Sequence, residues 1–212
     1  MTGPGIEEKN MIKNFVFDMG QVMIRWSPEI YMDHGNLTEE DRALLLREVF
    51  RSVEWVQLDR GSISLEEGAA AMRSRLPARL HDAVWEYGID WYRFPMVPMP
   101  GMADLVRELK AKGYGIYLLS NCSRPLRQHF HRIPGIEVFD GVFISSEHRL
   151  LKPQHEIFEK FFRTFGLKPE ECFFVDDAVV NIEGALECGM EGALFRGDSE
   201  ELRTELMRRK LL

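Results

Sequence analysis

Four short segments carry the side chains best suited to chemistry, and all four have one form: an apolar run that ends on reactive groups. Phe15-Val16-Phe17 ends on Asp18, with Gly20 two residues on. Tyr114 to Leu119 ends on Ser120-Asn121. Val142-Phe143-Ile144 runs into Ser145-Ser146, and Lys152-Pro153 follows; Cys172 to Val175 ends on Asp176-Asp177. An unpaired carboxylate at the end of a buried strand is costly, so Asp18 reads as a nucleophile, a metal ligand, or both. Ser120 and Asn121 can donate hydrogen bonds to a tetrahedral anion, and Lys152 can neutralise both anion and nucleophile. Asp177, beside Asp176, can hold a hard divalent cation such as Mg2+, and adjacent carboxylates repel when no cation is near. Each group alone has a plainer meaning: a helix cap, a turn, a solvated lysine. Their joint occurrence in this order describes phosphoryl transfer through an aspartyl-phosphate, where catalysis is mostly positioning and charge stabilisation.

The elements that must position these groups follow from periodicity. Near-continuous apolar runs suit parallel strands covered on both faces. Between them, Gly101 to Lys112, Glu156 to Phe165 and Asn181 to Cys188 show helical spacing, closed by Gly113, Gly166 and Gly189. Strands alternating with helices predict an α/β fold with a doubly wound, Rossmann-like parallel sheet, in which the reactive segments meet along one edge. The stretch from Ser27 to Met99 shows no strand pattern. Thr38-Glu39-Glu40-Asp41 opens one helix, Ser64-Leu65-Glu66-Glu67 opens a second with a capping box, and His81 to Trp91 reads as a third. The expected division is therefore a loose extension over residues 1–10, a core over 11–26 and 97–212, and a helical cap over 27–96. Trp55, Trp85, Trp91, Tyr87 and Phe94 are expected to form the core of that small bundle rather than a substrate pocket.

Composition excludes several classes. The chain has 212 residues, 45% of them hydrophobic, and a net charge of −7 with both signs interspersed. No basic stripe points to nucleic acid, and no apolar run is long enough to cross a membrane. The start is acidic and lacks the pattern of a signal peptide. The three cysteines, Cys122, Cys172 and Cys188, lack metal-ligand spacing. These features lead us to expect a cytoplasmic protein, and the phosphoryl-transfer chemistry of the four segments leads us to expect a small phosphorylated molecule as its substrate.

In its motifs the chain resembles the haloacid dehalogenase-like hydrolases, in the group with a small helical cap after the first strand. The matching segments are Phe17-Asp18-Met19-Gly20, Leu119-Ser120-Asn121, Lys152-Pro153, and Val175-Asp176-Asp177 with Asn181. The resemblance implies a magnesium-dependent phosphatase with Asp18 as nucleophile and metal ligand, the Gly20 carbonyl and Asp177 as further ligands, and Asp176 and Asn181 supporting the metal. It also implies that Ser120, Asn121 and Lys152 bind the phosphoryl group. Asp59-Arg60-Gly61-Ser62-Ile63-Ser64 reads as a turn between helices and resembles the family's specificity loop, which makes Arg60 a candidate substrate contact; Arg124, after Ser120-Asn121, and Arg149, before Lys152, are candidates to line the site. One departure stands out, because family phosphatases usually carry a second aspartate, the general acid, where this chain has Gly20. The Asp-x-Gly-Gln-Val form resembles a bacterial branch that includes sugar-1-phosphate phosphatases, so good leaving groups are expected to be preferred. His148 and Arg60 are the expected places to look for a replacement proton donor. The alternatives are a 2-haloacid dehalogenase, against which the paired acids argue, and a weakly catalytic binding module of the same fold.

Overall fold

A computed structural model describes residues 11–212; the expected extension over residues 1–10 lies outside the described residues. The chain begins with strand β1 (Asn14–Phe17), followed by a two-residue strand β2 (Ile24–Arg25). Helices α1 (Pro28–Met32), α2 (Glu39–Leu45), α3 (Val53–Arg60), α4 (Leu65–Arg73) and α5 (His81–Ala83) come next. Strand β3 (Val97–Pro98) then returns to pair antiparallel with β2, so that the helical segment is inserted between the arms of a small hairpin. From there the chain alternates: α6 (Met102–Ala111), β4 (Gly115–Ser120), the short α7 (Leu126–His129), β5 (Gly141–Ile144), α8 (His155–Phe165), β6 (Cys172–Asp176), α9 (Val179–Glu187), β7 (Glu191–Leu194) and α10 (Ser199–Arg208).

The five longer strands form one parallel sheet in the order β5-β4-β1-β6-β7. Pairing on both sides of β1 brings Phe17 opposite Leu118 and Val175. The next residues along, Asp18, Leu119-Ser120 and Asp176, therefore emerge side by side at the carboxyl end of the sheet, about the strand where the order reverses.

The period-2 alternation of strand side chains divides the core. Val16, Leu119, Phe143 and Phe174 pack on one face against Ile157, Phe158 and Phe161 of α8. Phe15, Phe17, Leu118, Phe173 and Val175 pack on the other, against Leu105 and Leu109 of α6 and Leu202 and Leu206 of α10. Both faces are buried, which is why these strands read as continuous apolar runs. Strand β7 escapes the sequence reading because Glu191-Gly192-Ala193-Leu194 is an edge strand with only partial burial.

The inserted segment follows its capping signals. The Thr38 and Ser64 side chains accept from the N–H groups of Asp41 and Glu67, and Glu67 returns a bond to the Ser64 N–H at 2.7 Å. One expectation changes. His81 to Trp91 is not a single helix: after α5 the chain widens into a π-helical turn over Val84–Ile89 and tightens into a 3₁₀ turn over Trp91–Arg93. Gly88 lies so close to Val49 that an added Cβ would meet its Cγ1 at 2.6 Å, so tertiary packing overrides regular helix here.

Candidate active site

Lys152 is the hub of the site. Its ammonium is buried and spends its three donors on Asp18 Oδ1 at 2.7 Å, Asp176 Oδ2 at 2.7 Å and the Leu119 carbonyl at 2.9 Å. Burial pulls its pKa down, but the charges of Asp176 and Asp18 more than reverse this, and the ammonium is held above its ordinary range. The Asn121 side chain fixes the lysine in place: its Nδ2 donates to the Lys152 carbonyl at 3.0 Å and its Oδ1 accepts from the Lys152 N–H at 2.9 Å. That amide is thereby occupied, and an anion contact from Asn121 would fall to its backbone. Ser120, at the end of β4, is buried and lines the same cavity as Asp18.

Asp176 is oriented by the start of α9. Its Oδ1 accepts from the Ala178 N–H at 2.8 Å, and Asn181 Nδ2 donates to both carboxylate oxygens at 3.0 and 3.1 Å. Asp18, Asp176 and Asp177 each offer a carboxylate oxygen, and these atoms lie within 4.8 Å of one another. Burial pushes the Asp18 carboxyl up to about 7, with Asp176 adding to the effect and Lys152 opposing it. Burial and Asp176 raise Asp177 too. Three carboxylates against one ammonium leave the cluster short of positive charge. An all-oxygen donor set with that deficit fits a hard divalent cation.

Above the sheet edge lies a cavity of about 140 Å³, lined by Asp18, Gly20, Ser120, Asn121, Lys152 and Asn181 from the sheet side. From the insertion and its hairpin come Trp26, Trp55, Trp91 and Asp59. The three tryptophans touch: Trp26 lies 5.6 Å from Trp55 and 6.1 Å from Trp91, centroid to centroid. The expectation that the insertion's aromatics serve only as core is thus half right. Tyr87 and Phe94 pack inside it, stacked at 5.9 Å, whereas Trp55 and Trp91 belong to both core and cavity wall.

The other sequence candidates lie elsewhere. Arg60 is absent from the cavity lining, while its neighbour Asp59 is present. The segment Asp59-Arg60 is not the expected turn, because α3 runs to Arg60 and turns only at Gly61. His148 stacks on Phe143 at 3.9 Å, and burial lowers its imidazole pKa. Arg124 and Arg149 line a separate depression beside α4. Cys122 does reach the cavity, but its thiol sits 2.8 Å from the Tyr92 hydroxyl and burial pushes its pKa well up, as befits a packing thiol.

The fold is thus an α/β domain with a parallel sheet, which carries paired acids, a lysine and a strand-end aspartate at its carboxyl edge, with a helical insertion beside them. The family model for haloacid dehalogenase-like hydrolases matches residues 12–189, and the chain belongs to that family. It is 28% identical over 189 residues to the sesquiterpene phosphatase astK of Aspergillus oryzae, covering 85% of this chain and 88% of that protein. It is 32% identical over 112 residues to a glyceraldehyde 3-phosphate phosphatase of Pyrococcus furiosus, covering 50% of this chain and 46% of the relative. Among solved structures, the HAD family enzyme bt-2542 of Bacteroides thetaiotaomicron, in complex with magnesium and inorganic phosphate, superposes with a TM-score of 0.63 at 25% identity. That match covers 90% of this chain and 98% of the other. The protein is a hydrolase with phosphatases among its relatives. Among the described residues, no helix is long and apolar enough to cross a membrane.

Proposed function

We propose that the protein is a magnesium-dependent phosphatase that hydrolyses a small phosphate monoester through an intermediate on Asp18. The observation that carries this reading is the Lys152 hub, which joins Asp18 to Asp176 within a cluster of three carboxylates at the sheet edge. Asp18 supplies the attacking oxygen, aimed from the end of β1 by its N–H bond to the Val175 carbonyl at 2.9 Å. Lys152 neutralises charge on the transferring group, and the Ser120 hydroxyl donates to one of its oxygens. Asp18, Asp177 and the Gly20 carbonyl would hold the metal, with Asp176 and Asn181 steadying it from behind. When bound, the cation supplies charge neutralisation for the phosphoryl oxygens. Residues 27–96 act as the cap, and the tryptophan wall takes the organic part of the ester. The same cluster disfavours a dehalogenase, whose chemistry needs no such concentration of acids. Both phosphatase relatives named above support a phosphate ester as substrate, a sugar phosphate among the candidates.

The test is phosphate release from a panel of monoesters with magnesium present, against an Asp18→Asn control. Release that depends on Asp18 is the expected result. Release that persists in the control, or none from the wild-type enzyme, would overturn the reading.

A further inference from the structure

Gly20 leaves the chain without an acid two residues after the nucleophile, and Gly20 itself faces the cavity, its nearest outside neighbour being Trp26 Cβ at 3.8 Å from where a Cβ would stand. Among the described residues that line the cavity, Asp18 and Asp59 are the two that carry a carboxyl group. Asp18 is taken up by the nucleophile's role. The Lys152 ammonium has no donor to spare, and the Cys122 thiol is turned to Tyr92. We propose that Asp59, on the last turn of α3, is the general acid and base of the reaction, supplying from the cap the proton that Gly20 cannot. This rests on the phosphatase reading above.

The surroundings of Asp59 suit the role. Burial, reinforced by the negative charge of Asp18, raises its pKa well above the ordinary carboxylate range, the direction that favours a proton donor. The Ser123 N–H and the Trp55 side chain oppose that rise without cancelling it. Its backbone is clamped as well. The Ser145 hydroxyl donates to the Asp59 carbonyl at 2.5 Å while accepting from the Cys122 N–H at 2.8 Å. Gly61 closes the helix with a φ of 72°, and a Cβ there would meet the Ser146 carbonyl oxygen at 2.1 Å. The helix end is thus pressed onto the sheet edge as only glycine allows, and the acid it carries faces the cavity from a fixed base.

The proton balance closes over two steps. As the Asp18 oxygen bonds to phosphorus, the bond to the leaving oxygen breaks, its electron pair stays on that oxygen, and Asp59 gives it a proton. The alcohol departs and Asp59 is left as a carboxylate. A water then attacks phosphorus, its proton passes to Asp59, and the bond to Asp18 breaks to release inorganic phosphate. With a donor in the cap, the restriction to good leaving groups that Gly20 alone would impose is lifted.

The experiment compares kcat/KM for an alkyl phosphate and for 4-nitrophenyl phosphate, in the wild type and in Asp59→Asn. This constant reports the steps through leaving-group departure. General acid help is worth about 10²–10⁴-fold, so the alkyl ester should lose at least about 10²-fold and the nitrophenyl ester less than about tenfold. Because the second step loses its base, Asp59→Asn should also show a burst of nitrophenol equal to the enzyme concentration. Asp59→Glu should recover part of the alkyl activity, and thermal unfolding of both variants guards against simple misfolding. Equal losses on the two esters with no burst, or no loss at all, would overturn the assignment of Asp59 while Asp18-dependent turnover left the phosphatase reading standing. A wild-type enzyme that releases phosphate from neither ester overturns both.

Discussion

The two sides of the cavity are built on different physics. On the sheet side, the central polar groups are held by backbone register and by charge: Lys152 between two aspartates, Asn121 locked to the lysine's own peptide groups, Asp176 capped by the start of α9. On the inserted side, aromatic packing does the holding, and ion pairs sit at its rim, as where Arg75 bridges Glu48 and Glu54. A charged site of this kind gains from a rigid frame, because preorganised groups spend nothing on reorganising during reaction. A packed wall is easier to alter without disturbing the chemistry. The sheet edge should therefore set whether the reaction occurs, and the insertion should set what is accepted and how the proton moves.

A graded series of variants tests that contrast. The largest effect belongs to Asp18→Asn, which should remove turnover by on the order of 10⁴-fold or more while the unfolding midpoint stays near that of the wild type. Substantial residual phosphate release would show that the sheet edge does not hold the nucleophile. Chelation comes next. Dialysis against a chelator should abolish activity, magnesium should restore it, and the metal alone should raise Tm, because an ion that binds only the folded state stabilises it. Indifference of both rate and Tm to magnesium would remove the metal from the three-carboxylate cluster.

Lys152→Met should cost stability as well as activity. It leaves Asp18 and Asp176 close together without their shared cation, and breaking a buried pair typically costs about 3–5 kcal/mol. Denaturant titration measures the loss, and magnesium should recover part of it by supplying the missing positive charge. Failure of magnesium to do so would argue that the lysine serves packing alone. On the inserted side, Trp55→Leu should raise KM about tenfold, the scale of one lost apolar contact, with kcat changed only a few-fold. A collapse of kcat instead would mean that the wall takes part in the chemistry, or that Asp59 has lost its orientation. The smallest effect is expected of Arg75→Ala. Its pairs are partly exposed, so Tm should fall by a few degrees at low salt, less at high salt, with kcat/KM unchanged.

Much of the sheet side was legible in the chain. Strand ends could be seen because apolar runs stop abruptly at Asp18, Ser120 and Asp176, and helices because Gly113, Gly166 and Gly189 close them with left-handed backbone. The inserted side was less legible. Trp55 and Trp91 sit at spacings that serve a bundle core equally well, and nothing local separates a tryptophan that only packs from one that also borders a cavity. Asp59 stands beside Arg60 in a segment that reads as a turn, and in a turn nothing marks the acid as facing a site. Because α3 runs to Arg60, Asp59 lies four residues after Trp55 and shares its helix face.

Local patterns in the chain dictate which elements form and which reactive groups end the strands. Those features depend on local periodicity and on the cost of stranding a charge, both of which act within a few residues. Which groups face one another across the cavity is a matter of long-range packing. Asp59 meets its anchor Ser145 from 86 positions away, and Lys152 meets Asp18 from 134. Contacts over such separations follow from the order of strands in the sheet and the way the insertion folds back on its edge. The lysine's partners could be anticipated because parallel strands deliver their ends to one line. The insertion's contribution could not, because the angle at which a small bundle settles on a sheet is set by close packing at sites such as Gly61 against Ser146 and Gly88 against Val49, and no local pattern encodes it.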